Sequence, residues 1–292
     1  MHGLTVAEAR STVQGAVPTL RAVHEIAFRI GSLTVHWYGI LVALGFMAGY
    51  WTAQRRGRRD GLSPDAVADV VFWIFLGGIL GARILFVITY WREEFAGKPL
   101  SLLFTTRSGF VFYGGLIGAT ICGIAYARWK RLPVWKLADA LVPSVALGHA
   151  FGRVGCFMTG CCHGRACDLP WAVHFPADHP TLGAGVHPTQ LYEAGLNLAL
   201  FAGLAWWYRR KQFDGQVFAL YLLAYAPIRA LVEHFRGDYA PGKFVGALSP
   251  GQLVSVGIFA AGVGFYAWLK SRPQPAPPSS VSSTQIGPPK TP

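Results

Sequence analysis

The chain has 292 residues, 52% of them hydrophobic and only 14% charged, whereas an ordinary soluble domain is roughly 25% charged. That balance excludes a protein built for water alone, and five clustered cysteines exclude a disulfide scaffold. The net charge of +12, from 26 Lys and Arg against 14 Asp and Glu, fits either nucleic acid or the short loops of a membrane protein, and the positions of the charges select the second.

Residues 1–32 are mixed, with Glu8, Arg10, Arg21, Glu25 and Arg29 and no clear apolar core. They are expected to form an extracytoplasmic segment, not a cleavable signal peptide. Seven apolar segments of about 20 residues follow, each long enough to cross a bilayer: Leu33–Ala53, Ala66–Trp91, Gly109–Tyr126, Leu137–Met158, Gln190–Tyr208, Gly215–Phe235 and Ser249–Lys270. The runs are too long and continuous for half-buried strands. The expected fold is therefore an all-α integral membrane protein with a seven-helix domain at 33–270. An irregular loop region follows the fourth helix, in which Pro170–Pro176 could form a short strand. The Pro/Ser-rich tail, 271–292, has the composition of a disordered segment.

Basic residues crowd alternate loops. Arg55, Arg56, Arg58 and Arg59 follow the first segment, Arg128, Lys130, Arg131 and Lys136 the third, and Arg209, Arg210 and Lys211 the fifth. The other loops are poorer, with Arg92, Lys98 and Arg107, then Arg165, then Arg236 and Lys243. Positive loops stay in the cytoplasm, so the N-terminus is expected outside and the C-terminus inside, with no nucleic-acid partner.

Three arginines sit deep in this frame. Arg83, Arg153 and Arg229 fall roughly 21 to 26 Å along the second, fourth and sixth helices from the cytoplasmic face, at 1.5 Å per residue. Tyr38, Tyr113, Gln190, Tyr192 and Glu193 come early in helices that start outside, and so share that level. Glu233 lies one turn beyond Arg229. Asp69 and Asp139 lie near the other face, where packing or capping is expected. Read singly, each arginine is equally explained by a structural ion pair or by snorkelling. Three on separate helices at one depth point to a site for an anion, most simply a phospholipid headgroup reached from the outer leaflet, because a guanidinium fork grips phosphate oxygens.

Gly148–Gly164 reads G-H-A-F-G-R-V-G-C-F-M-T-G-C-C-H-G. The spacing of Cys156, Cys161, Cys162 and Cys167 is not the usual pair of C-x2-C knuckles, so no metal is expected. Cys162 and Cys167 could join as a disulfide on the oxidising side, and a reactive cysteine beside Arg153 is also open. His149, His174, His179 and His187 read as structural histidines, with His187 placed to cap or orient Glu193.

Gly152–Gly164 resembles the signature of the prolipoprotein diacylglyceryl transferases. His36–Gly39, Gly81–Arg83, Tyr113–Gly118, His187–Glu193 and Arg229–Arg236 are similar to further motifs of that family, in the same order. The resemblance implies a seven-span enzyme of the bacterial inner membrane, opening toward the outer leaflet. Its reaction moves the diacylglyceryl group of phosphatidylglycerol to the thiol of a lipobox cysteine in a preprolipoprotein, with no cofactor. It also implies phosphate binding by Arg153 and Arg229, with Glu233 steadying Arg229. Tyr38 and Tyr113 fall among the catalytic motifs, and Arg83, Gly114, Gly115, Gly155, Gly160 and Glu193 among the substrate-binding ones. Many members have histidine where this chain has Tyr113. Tyrosine, with a pKa near ~10, is a poor base at neutral pH, so His149 and Glu193 are candidates for that role. Cys156, Thr159 and Cys161 replace the Asn and Glu of some members. A transporter or flippase for an anionic lipid is the alternative, against which stands the lack of an internal repeat.

Overall fold

A computed structural model describes residues 25–96, 109–237 and 248–273. Residues 1–24, the loop carrying Lys98 and Arg107, Lys243 and the tail beyond 273 lie outside the described residues.

The chain enters through a hairpin. β1 (Ile26–Ile30) pairs antiparallel with β2 (Leu33–His36) across a turn in which Gly31 adopts a left-handed φ of 58°. The first apolar segment was expected to be helical from Leu33. Instead Leu33, Thr34 and Val35, two of them β-branched, pair with β1, and the helix starts at Trp37. Seven long helices follow among the described residues: α1 (Trp37–Arg59), α2 (Pro64–Thr89), α3 (Phe112–Trp129), α4 (Val134–Thr159), α5 (Thr189–Trp207), α6 (Gln216–Phe235) and α7 (Pro250–Ser271). A π-helical turn, Trp91–Phe95, extends α2. The loop after α4 holds a second small hairpin, β3 (Val173–His174) with β4 (Gly185–Val186). β3 falls inside the stretch expected to contain a strand. The fold is thus mostly helical, with two hairpins added.

Local sequence explains the helix ends. Ser63 caps α2 by accepting from Ala66 N at 3.1 Å, with Pro64 at the first helical position. Ser249 and Gln252 form a capping box at α7, again ahead of a proline. α4 stops at Gly160, whose φ of 78° turns the chain out of the helix.

α2, α4, α6 and α7 are long and apolar enough to cross a membrane by length and composition. Large apolar side chains stay exposed on the outside, including Phe72, Ile84, Ile88, Phe112, Ile121 and Val256. A water-soluble surface rarely carries so much apolar area. Inside, small residues bring backbones together. A Cβ on Gly81 would lie 2.3 Å from the Gly114 carbonyl oxygen, and one on Gly118 would lie 2.2 Å from that of Gly77, so α2 and α3 meet backbone to backbone. α1 packs along α4, with Gly45 against Phe151 and Gly155 against Tyr38. α5 and α6 complete the layer around α4, and α7 packs on α6.

A second polar cluster ties the end where α1 finishes and α6 begins. Asp139 is fully buried and accepts from Gly215 N at 2.8 Å and Phe218 N at 3.0 Å, so α4 caps α6. Asp69 accepts from Tyr126 OH at 2.6 Å. These are the capping and packing roles expected of the two aspartates. Lys211 pairs with Asp60 and lies 3.3 Å from Asp139 and 3.5 Å from Asp214. Burial disfavours its charge, but Asp60 and Asp139 outweigh burial and hold its pKa above the ordinary 10.5. A raised pKa stabilises the fold fully below pH 10.5, and the contribution is lost as pH rises through the folded-state value. Lys211→Met should therefore lower stability by on the order of 3 kcal/mol. Thermal unfolding in detergent should show that loss at neutral pH, shrinking only in strong alkali.

Candidate active site

His149, Arg153 and Cys156 are spaced four and three residues apart, which stacks them on one face of α4. Glu193 lies one turn into α5 and is 2% exposed. Arg229 and Glu233 share a face of α6. A buried carboxylate persists only with partners, and Glu193 has three. Its Oε2 lies 2.9 Å from Arg153 Nε and 3.6 Å from Arg229 Nη1. Its Oε1 lies 3.3 Å from His149 Nε2. The two deep arginines of α4 and α6 therefore converge on one carboxylate from α5. His149 Nε2 is also 3.2 Å from Arg153 Nε, so by tautomer it accepts from the arginine or donates to Glu193.

A second carboxylate supports the first group. Arg229 Nη2 meets Glu233 Oε2 at 2.5 Å, and Arg236 Nη1 lies 3.7 Å from that oxygen. Ser249, the cap of α7, donates to Glu233 Oε1 at 3.1 Å. A Cβ on Gly251 would lie 2.3 Å from that same oxygen, so the glycine makes room for the carboxylate. The positive end of the α7 dipole favours it there. Sequence reasoning missed Ser249 and Gly251, and it placed Arg236 in a motif without pairing it to Glu233. Ser249-Pro250-Gly251-Gln252 was legible as a helix start, but nothing local tied it to α6.

Among the described residues, three arginines, Arg153, Arg229 and Arg236, meet the two carboxylates Glu193 and Glu233. Arg229 Nη1 is buried and lacks a hydrogen-bond partner among the described residues. The contacts of Arg153 run through Nε. A buried unmet donor costs about 1–3 kcal/mol, a demand that the oxygens of a bound anion would meet.

Two tyrosines border the cluster. Tyr38, in the first turn of α1, is within electrostatic reach of Arg153, Cys156, Cys161 and Cys162. Tyr113, at the start of α3 and exposed, is within electrostatic reach of Tyr225, as are Glu193, Arg229 and Arg153. The His149 and Tyr225 ring centroids are 5.7 Å apart.

Arg83 has a different setting. Its Nη1 donates to the Gly109 carbonyl at 3.3 Å and its guanidinium lies over Phe86 and Phe95. Gly114 packs on Gly81 and Gly115 on Gly78 and Ala82, where both serve the α2–α3 contact. Gly155 accommodates Tyr38, and Gly160 turns the chain against His179. His187 Nδ1 lies 3.3 Å from Tyr192 OH, so its ring contacts Tyr192 where an orienting role toward Glu193 was expected.

Beyond Gly160 the chain folds back. Cys161 O accepts from buried Gln190 at 2.7 Å and Cys162 O from buried Thr189 at 2.8 Å. Cys162 holds a left-handed φ of 62°, a strain of about 1–3 kcal/mol. The result gathers the sulfurs of Cys156, Cys161 and Cys162 within 4.8 Å of one another. Spacing had argued against a metal site among the cysteines, yet these three sulfurs lie close enough to hold one ion. All five cysteines are free, Cys162 and Cys167 included. Hydrogen bonds with Cys156 and Cys162 pull the Cys161 thiol below its ordinary value. An apolar groove of about 420 Å³ runs between α5 and α6, lined by Leu191, Tyr192, Leu196, Leu231 and Phe235 among others.

Residues 25–268, which span every element that builds this cluster, match the prolipoprotein diacylglyceryl transferase family. The chain belongs to that family. It is thus a transferase of lipoprotein biosynthesis, with the apolar helices of a membrane protein. A relative from Bordetella bronchiseptica, a phosphatidylglycerol–prolipoprotein diacylglyceryl transferase, is 36% identical over 86% of this chain and 97% of its own length. One of the same description from Geobacter sulfurreducens is 38% identical over 82% of this chain and 93% of its own. Another, from Synechococcus elongatus, is 34% identical over 82% and 85%. In this family member the arginine pair and its carboxylates all lie within the matched region.

Proposed function

We propose that the chain transfers the diacylglyceryl group of phosphatidylglycerol to the thiol of a lipobox cysteine in a preprolipoprotein, with all seven long helices crossing a bacterial inner membrane and the N-terminus outside. The basic residues, expected in loops, fall in the last turns of α1 and α3, just after α3 and just after α5, and at those ends they still support that orientation. The observation that carries the activity is the convergence of Arg153 and Arg229 on Glu193, with guanidinium donors still unmet.

The chemistry follows from the groups at hand. The lipobox thiol gives its proton to His149, which Glu193 holds. The sulfur attacks the glyceryl carbon bonded to the phosphate oxygen. The S–C bond forms as the C–O bond breaks, and the electron pair leaves with the phosphate as glycerol 1-phosphate. Arg153 and Arg229 stabilise the charge that grows on the leaving oxygens. Glu193 fixes both arginines and Glu233 fixes Arg229. The hydroxyls of Tyr38 and Tyr113 orient the lipid, while Arg83, Gly114 and Gly115 act through the α2–α3 pair.

Incubating the purified protein with phosphatidylglycerol and a lipobox peptide should add one diacylglyceryl group to the peptide by mass. A peptide with serine in place of the cysteine should stay unmodified. Lipid flux across liposomes without covalent product would instead mark a transporter and overturn the assignment.

A further inference from the structure

We propose that Cys156, Cys161 and Cys162 form a zinc site, three thiolates on one ion, whose fourth position takes the thiol of the incoming lipobox cysteine. The last clause rests on the transfer reaction above; the metal site does not.

The three sulfurs already lie within 4.8 Å of one another. Zinc–thiolate bonds of ~2.3 Å place the sulfurs of a tetrahedral site about 3.8 Å apart, so rotation about the side-chain bonds closes the difference. The thiols are not gathered by chance of a floppy loop. Cys156 is fixed in the last turn of α4, and the carbonyls of Cys161 and Cys162 are held by the buried side chains of Gln190 and Thr189. Gly160 lets the chain reverse between the two halves of the set. His179 secures that reversal by a contact of 3.1 Å to the Gly160 carbonyl. Soft thiolates select zinc or copper(I) over magnesium or calcium, and zinc brings no redox chemistry to a site that alkylates sulfur.

Charge favours the ion as well. Three thiolates and one Zn²⁺ sum to a single negative charge, and Arg153 lies within electrostatic reach of Cys156 and Cys162. Catalytic zinc sites keep three protein ligands and leave one position open. A thiol that enters such a position is deprotonated. Here that proton leaves through solvent at exposed Cys161 and is taken up by His149, two turns back along α4 on the face it shares with Arg153 and Cys156. The bound sulfur keeps the lone pair that attacks carbon, so the step needs no oxidant or reductant.

Cobalt(II) is the probe, added to the full-length protein purified in detergent with reduced thiols. One cobalt per chain, with a strong near-ultraviolet thiolate band that stoichiometric Zn²⁺ abolishes, is expected. Cys161→Ser, at an exposed position, should lose the band, and Cys122→Ser, on α3, should keep it. A lipobox peptide should strengthen the band and shift the visible cobalt absorption, and its serine counterpart should do neither. No band, a band kept by Cys161→Ser, or a disulfide among the three cysteines in place of metal overturns the site even if transfer activity is intact. A peptide that is modified in turnover yet leaves the cobalt spectrum unchanged overturns the fourth-ligand assignment. Absence of transfer with the metal band present would sink the reaction and leave the zinc site standing.

Discussion

Arg153→Lys is expected to fold and insert normally and to lose about 10²–10³-fold in transfer rate, the scale of removing one donor to a developing oxyanion. The substitution keeps the charge near Glu193, so the cluster stays neutralised. It removes the planar fork, and with it the two terminal amines that the Arg153–Glu193 contact leaves over. Mass measurement of peptide product over time reads the rate, and thermal unfolding in detergent checks the fold. The loss should appear in kcat at least as much as in KM, because the leaving group carries more charge in the transition state than in the bound lipid. Arg229→Lys should behave alike. The double variant should cost less than the product of the two losses, since both residues act on one phosphate through one carboxylate. A lysine variant with ordinary rates would remove the phosphate-binding role of these arginines.

Gly251→Ala is expected to cut transfer by at least tenfold, although Gly251 is an α7 residue that donates no side chain to the chemistry. The added methyl would sit 2.3 Å from Glu233 Oε1. The Glu233 side chain is flexible and can swing away, so the fold should survive. In doing so it would leave Ser249 and release Arg229 Nη2, which it holds at 2.5 Å. A misplacement of about 1 Å near a reacting centre costs as much as 10²-fold. The discriminating readout is the pair of variants Gly251→Ala and Gly251→Ala/Glu233→Asp. The shorter carboxylate makes room for the methyl and should recover part of the rate, which a merely weakened α6–α7 contact would not allow. No loss in the single variant would show that α7 has no part in holding Arg229.

The helices were readable because long apolar runs have one physical solution in lipid. A run of about 20 apolar residues that crosses a bilayer meets no water and must close its hydrogen bonds internally, and α2, α4, α6 and α7 have the length and composition to do so. Apolar length placed all seven long helices to within about six residues at each end. The end of α1 ran six residues past expectation, to Arg59, and an error of structure type lay at Leu33–His36. There the segment pairs with β1, and pairing depends on a neighbour that hydropathy does not see. The level of Arg153 and Arg229 was legible for a related reason. A charge in an apolar run is expensive enough to mark itself, and a constant rise per residue converts its position into depth.

Rotation about each helix axis was not legible, and the site depends on it. Depth treated Arg83, Arg153 and Arg229 alike, yet Arg83 turns to Gly109, Phe86 and Phe95 while the other two meet at Glu193. The difference arises from packing. Gly77, Gly81, Gly114 and Gly118 bring the α2 and α3 backbones into contact, and that contact sets which way Arg83 points. The thiols make the same case. Their spacing in the chain argued against a metal site, but one left-handed turn at Gly160 and two side chains from the start of α5 draw them together. Apolar length and costly charge act through the chain's own neighbours and so are written along it. The convergence of three helices on one carboxylate, and of three cysteines on one another, is fixed by contacts between residues far apart in the chain, and it exists only once the helices have packed.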